Sequence, residues 1–246
     1  MKKILIVIFV LLVCSTSHAQ SKRPITFDDL IAMGRVTDPQ CSPDGKTVAF
    51  VVTYHHKVEN RTNSNIYLVP VNGGEVRQLT SAKGANNNPR WMPDGQSIAF
   101  VSSREGGPQI WLVPVAGGEA RKISSLSTGA SGLAVSPDGK WFAFASDVYA
   151  DCPADDCNKQ RDEAAEQSKV KAKTFDRLPF RVWNYWKDGK RSHLFVMSNS
   201  GGAATDITPG EYDTPPVDLG GNWDYAFSPD SKEIAFKSFP IPLTPS

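Results

Sequence analysis

The sequence is poor in the residues and charge patterns that build metal sites and nucleic-acid sites. Its 246 residues include only four cysteines and four histidines, and the formal net charge is +1. Without an excess of either charge, the chain is not expected to bind nucleic acid or an anionic membrane surface. No second cysteine or histidine pair lies at ligand spacing from Cys152 and Cys157, so the sequence predicts no metal site and no cofactor.

Long apolar runs are also lacking, with one exception at the N-terminus. Lys2 and Lys3 precede an apolar run over 4–13, and the small residue Ala19 follows it closely. This pattern is typical of a secretory signal peptide, and the run is too short to span a bilayer. We therefore expect a signal peptide over 1–19, export to the periplasm or the medium, and no membrane segment after cleavage.

The few cysteines fit an oxidising compartment. In an exported chain, Cys152 and Cys157 predict a disulfide that closes a short loop, and a metal site is the less favoured alternative. Cys41 has no evident partner and is expected to be a small buried hydrophobic residue. Cys14 would carry the lipid of a lipoprotein, but the bulky Val13 before it disfavours that alternative.

What the sequence has in abundance is repetition. One stretch occurs four times: CSPDGKTVAF (41–50), WMPDGQSIAF (91–100), VSPDGKWFAF (135–144) and FSPDSKEIAF (227–236). A second stretch alternates with it: NIYLVPVNGGEVRQLT (65–80), QIWLVPVAGGEARKIS (109–124) and HLFVMSNSGGAATDIT (193–208). The spacing from Asn65 to Gln109, and from Pro93 to Pro137, is 44 residues. A period of this length, built from strands and turns, is typical of a β-propeller blade.

Each repeat predicts one four-stranded blade. Pro-Asp-Gly is a tight-turn sequence, because Pro presets φ, Asp bonds its own backbone and Gly accepts a positive φ. The apolar runs that follow, at 48–52, 98–101 and 141–145, predict strands buried on both faces. The fold class is therefore all-β: a partial β-propeller of about three and a half four-stranded blades with WD40-like or TolB-like repeats.

The repeated aspartate of the turn has a second interpretation, as a calcium ligand. A calcium loop needs several carboxylates at alternate positions. The stretches around Asp44, Asp94, Asp138 and Asp230 lack them, so the turn role is favoured.

Two segments lie outside the repeat. Ile25–Val36 predicts a short helix with Thr26 as its N-cap, in an N-terminal helical segment over 20–37. The propeller domain follows over 38–246, and an insertion at about 147–191 interrupts its third repeat.

The insertion combines a predicted exposed helix over 158–175 with an aromatic group. That group, Trp183, Tyr185 and Trp186, either packs where the insertion rejoins the blade or forms a wall of a substrate cleft. Packing is the favoured alternative. If a cleft exists, Arg181 and Trp183 are the first candidates to line it.

Together these features resemble a known family. The opening FDDLIAMGRVTDPQCSPDGKTVAF (27–50), the Ser-Pro-Asp-Gly blades and FRVWNYWKDGKRSHLFV (180–196) are similar to the N-terminal propeller of secreted S9 (prolyl oligopeptidase-type) serine peptidases. The branch is that of dipeptidyl-peptidase 5 and acylaminoacyl-peptidase-like enzymes, and the resemblance covers Ile25–Phe236. It implies a propeller that gates an α/β-hydrolase domain, whose Ser-Asp-His triad releases dipeptides or acyl-amino acids from peptide N-termini.

The chain departs from that family in its catalytic part. No Gly-x-Ser-x-Gly stretch, which the sharp nucleophile turn requires, occurs in the sequence, and GASG at 129–132 is the nearest. His55 and His56 fall in a predicted loop over 53–65, and His193 begins a repeat strand. No residue is assigned as catalytic. We expect the hydrolase domain to be missing and the chain alone to be inactive.

Two functions stay open at this point. The leading one is the gating portion of a secreted exopeptidase that meets peptide substrates through the missing hydrolase domain. The alternative is a stand-alone TolB-like periplasmic binding propeller. An open propeller exposes strand edges and one apolar face, so we expect a marginally stable chain that self-associates.

Overall fold

A computed structural model describes residues 23–173, 181–182, 185–186, 188–216 and 224–238. The chain divides into two compact units, Met1–Met33 and Gly34–Ser246, and each is considered by itself. The predicted signal peptide over 1–19 lies outside the described residues. Within the described ranges, no helix has both the length and the apolar character needed to cross a membrane.

In the first unit, of which residues 23–33 are described, a short helix α1 spans Phe27–Ala32. A capping box closes its N-terminus: Thr26 Oγ1 accepts a hydrogen bond from the Asp29 N–H (3.3 Å), and the Asp29 carboxylate accepts one from the Thr26 N–H (2.8 Å). Thr26 is therefore confirmed as the N-cap. The helix is shorter than the predicted Ile25–Val36, because the backbone is already extended at Met33 (ψ 125°).

Among its described residues, the second unit contains five antiparallel sheets: four follow the sequence repeat and are called here the first to fourth sheet, and the fifth is a two-stranded sheet within the insertion. The first sheet comprises β1 (Arg35–Cys41), β2 (Thr47–His56), β3 (Arg61–Pro70) and β4 (Arg77–Gln78). The second comprises β5 (Asn86–Trp91), β6 (Ser97–Ser102), β7 (Gln109–Pro114) and β8 (Arg121–Lys122).

The third sheet is interrupted by the insertion. It begins with β9 (Ser131–Val135) and β10 (Trp141–Tyr149). The insertion then supplies the helix α2 (Asp155–Gln167) and the paired strands β11 (Arg181–Val182) and β12 (Tyr185–Trp186). The sheet is completed by β13 (Lys190–Ser198) and β14 (Thr205–Asp206), and the fourth sheet, as described, pairs β15 (Tyr225–Phe227) with β16 (Ile234–Phe236).

Each of the first three sheets is a four-stranded meander in which strands pair in chain order. The first strands of the sheets, β1, β5, β9 and β15, adjoin one another from sheet to sheet and are called the inner strands. One repeat of the sequence therefore corresponds to one four-stranded sheet, as predicted.

Successive sheets pack face to face, and the two faces of each sheet differ in the same way from sheet to sheet. The face turned to the preceding sheet carries large side chains, such as Phe100 in the second sheet and Phe144 in the third. The face turned to the following sheet carries a small one, Ala49, Ala99 or Ala143. All five of these residues are fully buried. Large side chains thus fill the space left by small ones, and burying each phenylalanine stabilises the fold by roughly 1.5–3 kcal/mol.

Burial on both faces is confirmed for the second sheet and wrong for the first. Ile98 and Phe100 are fully buried, whereas the corresponding Val48 and Phe50 are only partly buried. The reason is that, among the described residues, no sheet packs on the face of the first sheet that turns away from the second.

The prediction that Cys41 is buried is also wrong, because its thiol is free and exposed. Cys41 lies on β1 opposite Val48, so the two side chains share the incompletely covered face of the first sheet.

The hairpin between β2 and β3 is longer than predicted. His55 pairs with Thr62 and His56 with Arg61 in the β2–β3 ladder, so only 57–60 form the loop. The β-branched and aromatic residues around them favour continued pairing over the loop that was expected.

Candidate functional site: the variable end and the inner strands

The sheets have one uniform end and one variable end. At the uniform end, Pro-Asp turns join the first strand to the second, and glycine pairs join the third to the fourth. At the variable end, the second and third strands are joined by loops of different length, 57–60, 103–108 and the insertion at 150–189. Because binding residues concentrate on loops held by a rigid scaffold, the variable end is the candidate functional face.

The repeated aspartate serves the turn itself. Asp44 Oδ1 accepts hydrogen bonds from the Ser42 hydroxyl (2.6 Å) and the Lys46 N–H (3.1 Å), and Asp138 accepts the same two bonds at 2.7 and 3.0 Å. These bonds, with the serine hydroxyl first, hold the pKa of both carboxyls below the usual value. In the part of the chain that the structure describes, no cluster of three His, Cys, Asp or Glu side chains could hold a metal ion.

Asp38 and Arg90 link the inner strands of the first and second sheets. Both carboxylate oxygens of Asp38 lie 3.0 Å from Arg90 Nη1, and neither side chain is more than 28% exposed. Gln40 Nε2 (2.7 Å) and Asn88 Nδ2 (3.4 Å) donate to the same carboxylate. The pair is therefore fixed by hydrogen bonds from two neighbouring strands.

Side-chain hydrogen bonds continue along the remaining inner strands. Asn88 Oδ1 accepts from the Leu133 N–H of β9 (2.6 Å), and the Tyr225 hydroxyl of β15 donates to the carbonyl of Gly132. Burial raises the pKa of Tyr225, so its phenol remains a proton donor over the physiological range. Polar side chains thus connect all four inner strands.

A residue with left-handed backbone at one repeated position directs these side chains across the boundaries between neighbouring sheets. Asp38 (φ 48°), Asn88 (φ 54°) and Gly132 (φ 66°) stand at the same offset before the turn aspartate. The ladders of β1 and β5 shift register at this point, as in a β-bulge. Asp and Asn adopt this conformation more readily than other non-glycine residues. The sequence analysis missed the network, although Asp38-Pro39 and Asn88-Pro89 at one offset were a usable signal.

A second repeated arrangement ties the third strand to the end of the fourth. A hydroxyl accepts from a third-strand N–H in every complete sheet, at 2.9, 2.8 and 2.8 Å. The hydroxyls belong to Thr80, Ser124 and Thr208, and the polar residues that start the third-strand repeat beside them are Asn65, Gln109 and His193. Only the third sheet uses an ionisable residue at that position.

His193 is 1% exposed and contacts an acceptor through each ring nitrogen. Nδ1 lies 2.6 Å from the Asp206 carboxylate, and Nε2 lies 2.8 Å from the carbonyl oxygen of Gly210. Burial by itself lowers the pKa of His193, but the bonds to Asp206 and Gly210 outweigh it and raise the pKa above its usual value. Because a neutral imidazole donates from one nitrogen only, the geometry indicates the protonated ring.

The insertion is anchored around Tyr149 at the end of β10. The Tyr149 N–H donates to Asn158 Oδ1 (2.8 Å), and Arg161 and Lys190 lie 5.0 and 5.2 Å from the ring centroid. Lys190 Nζ also contacts the Asp162 carboxylate (2.7 Å). Burial, followed by the nearby Asp162, raises the pKa of Tyr149. Two cations over one ring and a buried asparagine fix the start of the inserted helix.

A disulfide joins Cys152 to Cys157, whose Cα atoms are 5.4 Å apart, next to the first turn of α2. The inserted helix covers Asp155–Gln167 rather than the predicted 158–175. It begins earlier because acidic residues suit a first helical turn.

The two cleft candidates cannot be placed against this network. Arg181 pairs with Trp186 in the β11–β12 hairpin, but nothing is described of its side chain. Trp183 lies outside the described residues. Their role at a cleft stays a prediction.

Comparison with known proteins decides the family. Residues 30–171, more than half of the chain, match the family described as TolB beta propeller domain. The chain belongs to the TolB β-propeller domain family. The predicted partial β-propeller is thereby confirmed.

The relatives of this chain include peptidases. The chain is 31% identical to dipeptidyl-peptidase 5 of Porphyromonas gingivalis over 218 residues, 87% of the chain and 31% of that protein. The acylaminoacyl peptidase of Pyrococcus horikoshii has a similar fold, with TM-score 0.54, 16% identity, and coverage of 74% of this chain and 26% of that chain. The putative TolB from Agrobacterium tumefaciens gives TM-score 0.52 and 24% identity, covering 85% of this chain and 60% of that chain.

These comparisons confirm the resemblance to peptidase propellers in sequence and in fold. The chain spans about a third or less of the length of the curated peptidases it matches.

Proposed function

We propose that this propeller is the gating portion of an exported S9-type serine exopeptidase, which releases dipeptides or acyl-amino acids from peptide N-termini. The observation that carries the proposal is the similarity to dipeptidyl-peptidase 5 over 87% of the chain. That similarity extends over 218 residues and is longer than the stretch that matches the propeller family, so it includes segments beyond the generic repeat.

In this role the chain restricts access and supplies no catalytic group. The inner strands carry the polar side chains Asp38, Asn88 and Arg90, which hydrogen bonds hold in place between neighbouring sheets. In the proposed role these strands line the access route, and a rigid wall suits selection of substrates by size because it does not widen to admit a folded chain. The proposal places Arg181 and Trp183 in the wall of the substrate cleft and the hydrolase chemistry outside these 246 residues.

Export is part of the proposal. The signal-peptide pattern over 1–19 supports it, and so does the disulfide between Cys152 and Cys157, which an oxidising compartment favours. N-terminal sequencing of the native protein is expected to begin at Gln20.

A stand-alone binding propeller is the second candidate. It is favoured by the family match and by the larger share, 60%, of a TolB chain that this chain covers. This candidate requires a native polypeptide near the 26.8 kDa of the chain and no hydrolysis.

One experiment separates the two. An antibody raised against this chain is used to probe and to precipitate the native protein from producing cells. The peptidase proposal expects a band far above 26.8 kDa, and a precipitate that hydrolyses a dipeptidyl chromogenic substrate and is blocked by a serine-directed inhibitor. A single band at the size of the chain, with no activity in the precipitate, would overturn it in favour of the binding propeller. The recombinant chain alone is the matched control and should be inactive.

A further inference from the structure

The loop 103–108 at the variable end places a guanidinium group against the aromatic side chains of the second sheet. Arg104 Cζ lies 4.6 Å from the centroid of the Trp111 ring and 5.3 Å from that of Phe100, and both rings are buried. Burial lowers the pKa of Arg104, but an arginine stays charged in proteins. The second sheet therefore carries a partly buried cation at its variable end.

A fully buried asparagine holds this guanidinium in one orientation. Arg104 Nη2 donates to Asn86 Oδ1 (3.0 Å), and Arg104 Nε donates to Ser102 Oγ (3.0 Å). The Ser102 hydroxyl also donates to Asn86 Oδ1 (2.7 Å), and Asn86 Nδ2 donates to the carbonyl of Ser64 (3.1 Å). Asn86 is 0% exposed. The guanidinium is thus fixed by the protein before any ligand binds.

These bonds use only one edge of the guanidinium, the edge formed by Nε and Nη2. Among the residues that the structure describes, no acceptor takes the N–H groups of Nη1 or the second N–H of Nη2. No described carboxylate forms a salt bridge with Arg104 either, because the adjacent Glu105 pairs with Lys122 (3.3 Å). Two parallel N–H groups on the remaining edge match the two oxygens of a carboxylate.

The third sheet shows that packing alone does not require a cation at this position. Val148 follows Ser146 as Arg104 follows Ser102, two residues after a serine that both sheets share. Val148 is 5% exposed and belongs to the hydrophobic core. Partly burying a charge without an opposite charge costs free energy. We therefore expect the arginine to serve a ligand rather than the fold.

We propose that Arg104 binds a carboxylate group of a peptide at the variable end, through Nη1 and the unused N–H of Nη2. This inference deepens the proposed function, because it assumes that peptides reach this face of the propeller. The carboxylate is that of the peptide C-terminus or of an acidic side chain. Because the guanidinium is already oriented, little conformational freedom is lost when the carboxylate binds.

Matched peptides test the proposal on the protein expressed from its complete native gene. Three short peptides with otherwise uncharged side chains are compared: a free C-terminal acid, the same sequence as a C-terminal amide, and an amide whose last residue is aspartate. Calorimetry measures binding after treatment with a serine-directed inhibitor, so that no peptide is consumed. The acid or the aspartate amide should bind at least about tenfold more tightly than the plain amide, and the tighter of the two identifies the source of the carboxylate.

Substitutions assign this preference to Arg104. Arg104→Met should abolish it, and Arg104→Lys, which keeps the charge but loses the planar fork, should retain only part of it. Lys46→Met is the matched control, because it removes one positive charge from a side chain 81% exposed at the uniform end, and it should keep the full preference. The lysine variant and the parent decide the question if the methionine variant does not fold.

Equal binding of all three peptides by the parent would overturn the proposal, since Arg104 would then be neutralised by the protein itself. An undiminished preference in Arg104→Met would also overturn it. The outcome is separate from that of the gating proposal. A protein that prefers the carboxylate but hydrolyses no peptide would contradict gating alone, and a peptidase without the preference would contradict the role of Arg104 alone.

Discussion

The contact between the buried His193 ring and the partly exposed Asp206 in the third sheet makes the stability of the chain depend on pH in a defined direction. The perturbation is His193→Gln, which installs the residue that the second sheet uses at this position, Gln109. Glutamine keeps a donor and an acceptor but removes the titrating group.

The sign follows from the raised pKa of His193. A group whose pKa is higher in the folded state than in the unfolded state stabilises the fold fully below its unfolded pKa, about 6.5 for histidine. This contribution disappears as the pH rises through the folded pKa. Each unit of that difference corresponds to about 1.4 kcal/mol of stability.

The size of the expected change in the free energy of unfolding follows from the two hydrogen bonds of the His193 ring, to Asp206 and Gly210. Hydrogen bonds to charged groups contribute about 1.5–3 kcal/mol, and Asp206 is still 26% exposed, so the lower part of that range applies. We therefore expect His193→Gln to lower the free energy of unfolding by about 2 kcal/mol at pH 5.5 and by less than about 1 kcal/mol at pH 9.5.

Urea unfolding of both proteins across this pH range measures the difference, in which all other titrating groups cancel. Asp206→Asn is the companion variant: it keeps the ring and should lower its titration midpoint in an NMR experiment. Parallel stability curves for the parent and His193→Gln would refute the reasoning, because the protonated ring would then contribute nothing to the fold.

Two further predictions concern the inner strands and the insertion. Asn88→Gly should lower the free energy of unfolding by about 1–2 kcal/mol, because it removes the hydrogen bond to the Leu133 N–H. Asn88→Ala should lower it by about 1 kcal/mol more, because alanine disfavours the left-handed backbone at this position. Equal losses for the two variants in urea unfolding would contradict a conformational requirement at residue 88. Replacing both Cys152 and Cys157 by serine should lower the free energy of unfolding by about 2 kcal/mol, as expected for a disulfide that closes a short loop. Reducing the disulfide of the parent protein should produce the same loss. An unchanged urea midpoint in the double variant would show that the loop is ordered without the disulfide.

The sequence specified the sheets well because their signals are local and repeated. Pro-Asp turns, glycine pairs and apolar runs act within a few residues of one another, so four strands per repeat could be predicted from a single blade. Cys41 was wrongly placed because its exposure depends on what packs against the first sheet, which no local pattern encodes. The Asp38–Arg90 link was missed for a related reason, since its partners belong to different repeats 52 residues apart.

Each Pro-Asp turn after the first also contacts the Pro-Asp turn of the preceding sheet, so its residues must fit both their own hairpin and the neighbouring turn. A side chain at Gly139 would lie 3.1 Å from the Pro93 ring, so the glycine that shapes one hairpin also makes room for its neighbour. At the fourth turn Ser231 replaces the glycine with φ 62°, and its hydroxyl accepts the Asp138 N–H instead (2.9 Å). A change in one of these turns must therefore be accommodated by the turn beside it. The loops at the variable end differ in length from sheet to sheet, so that end leaves more room for new binding surfaces.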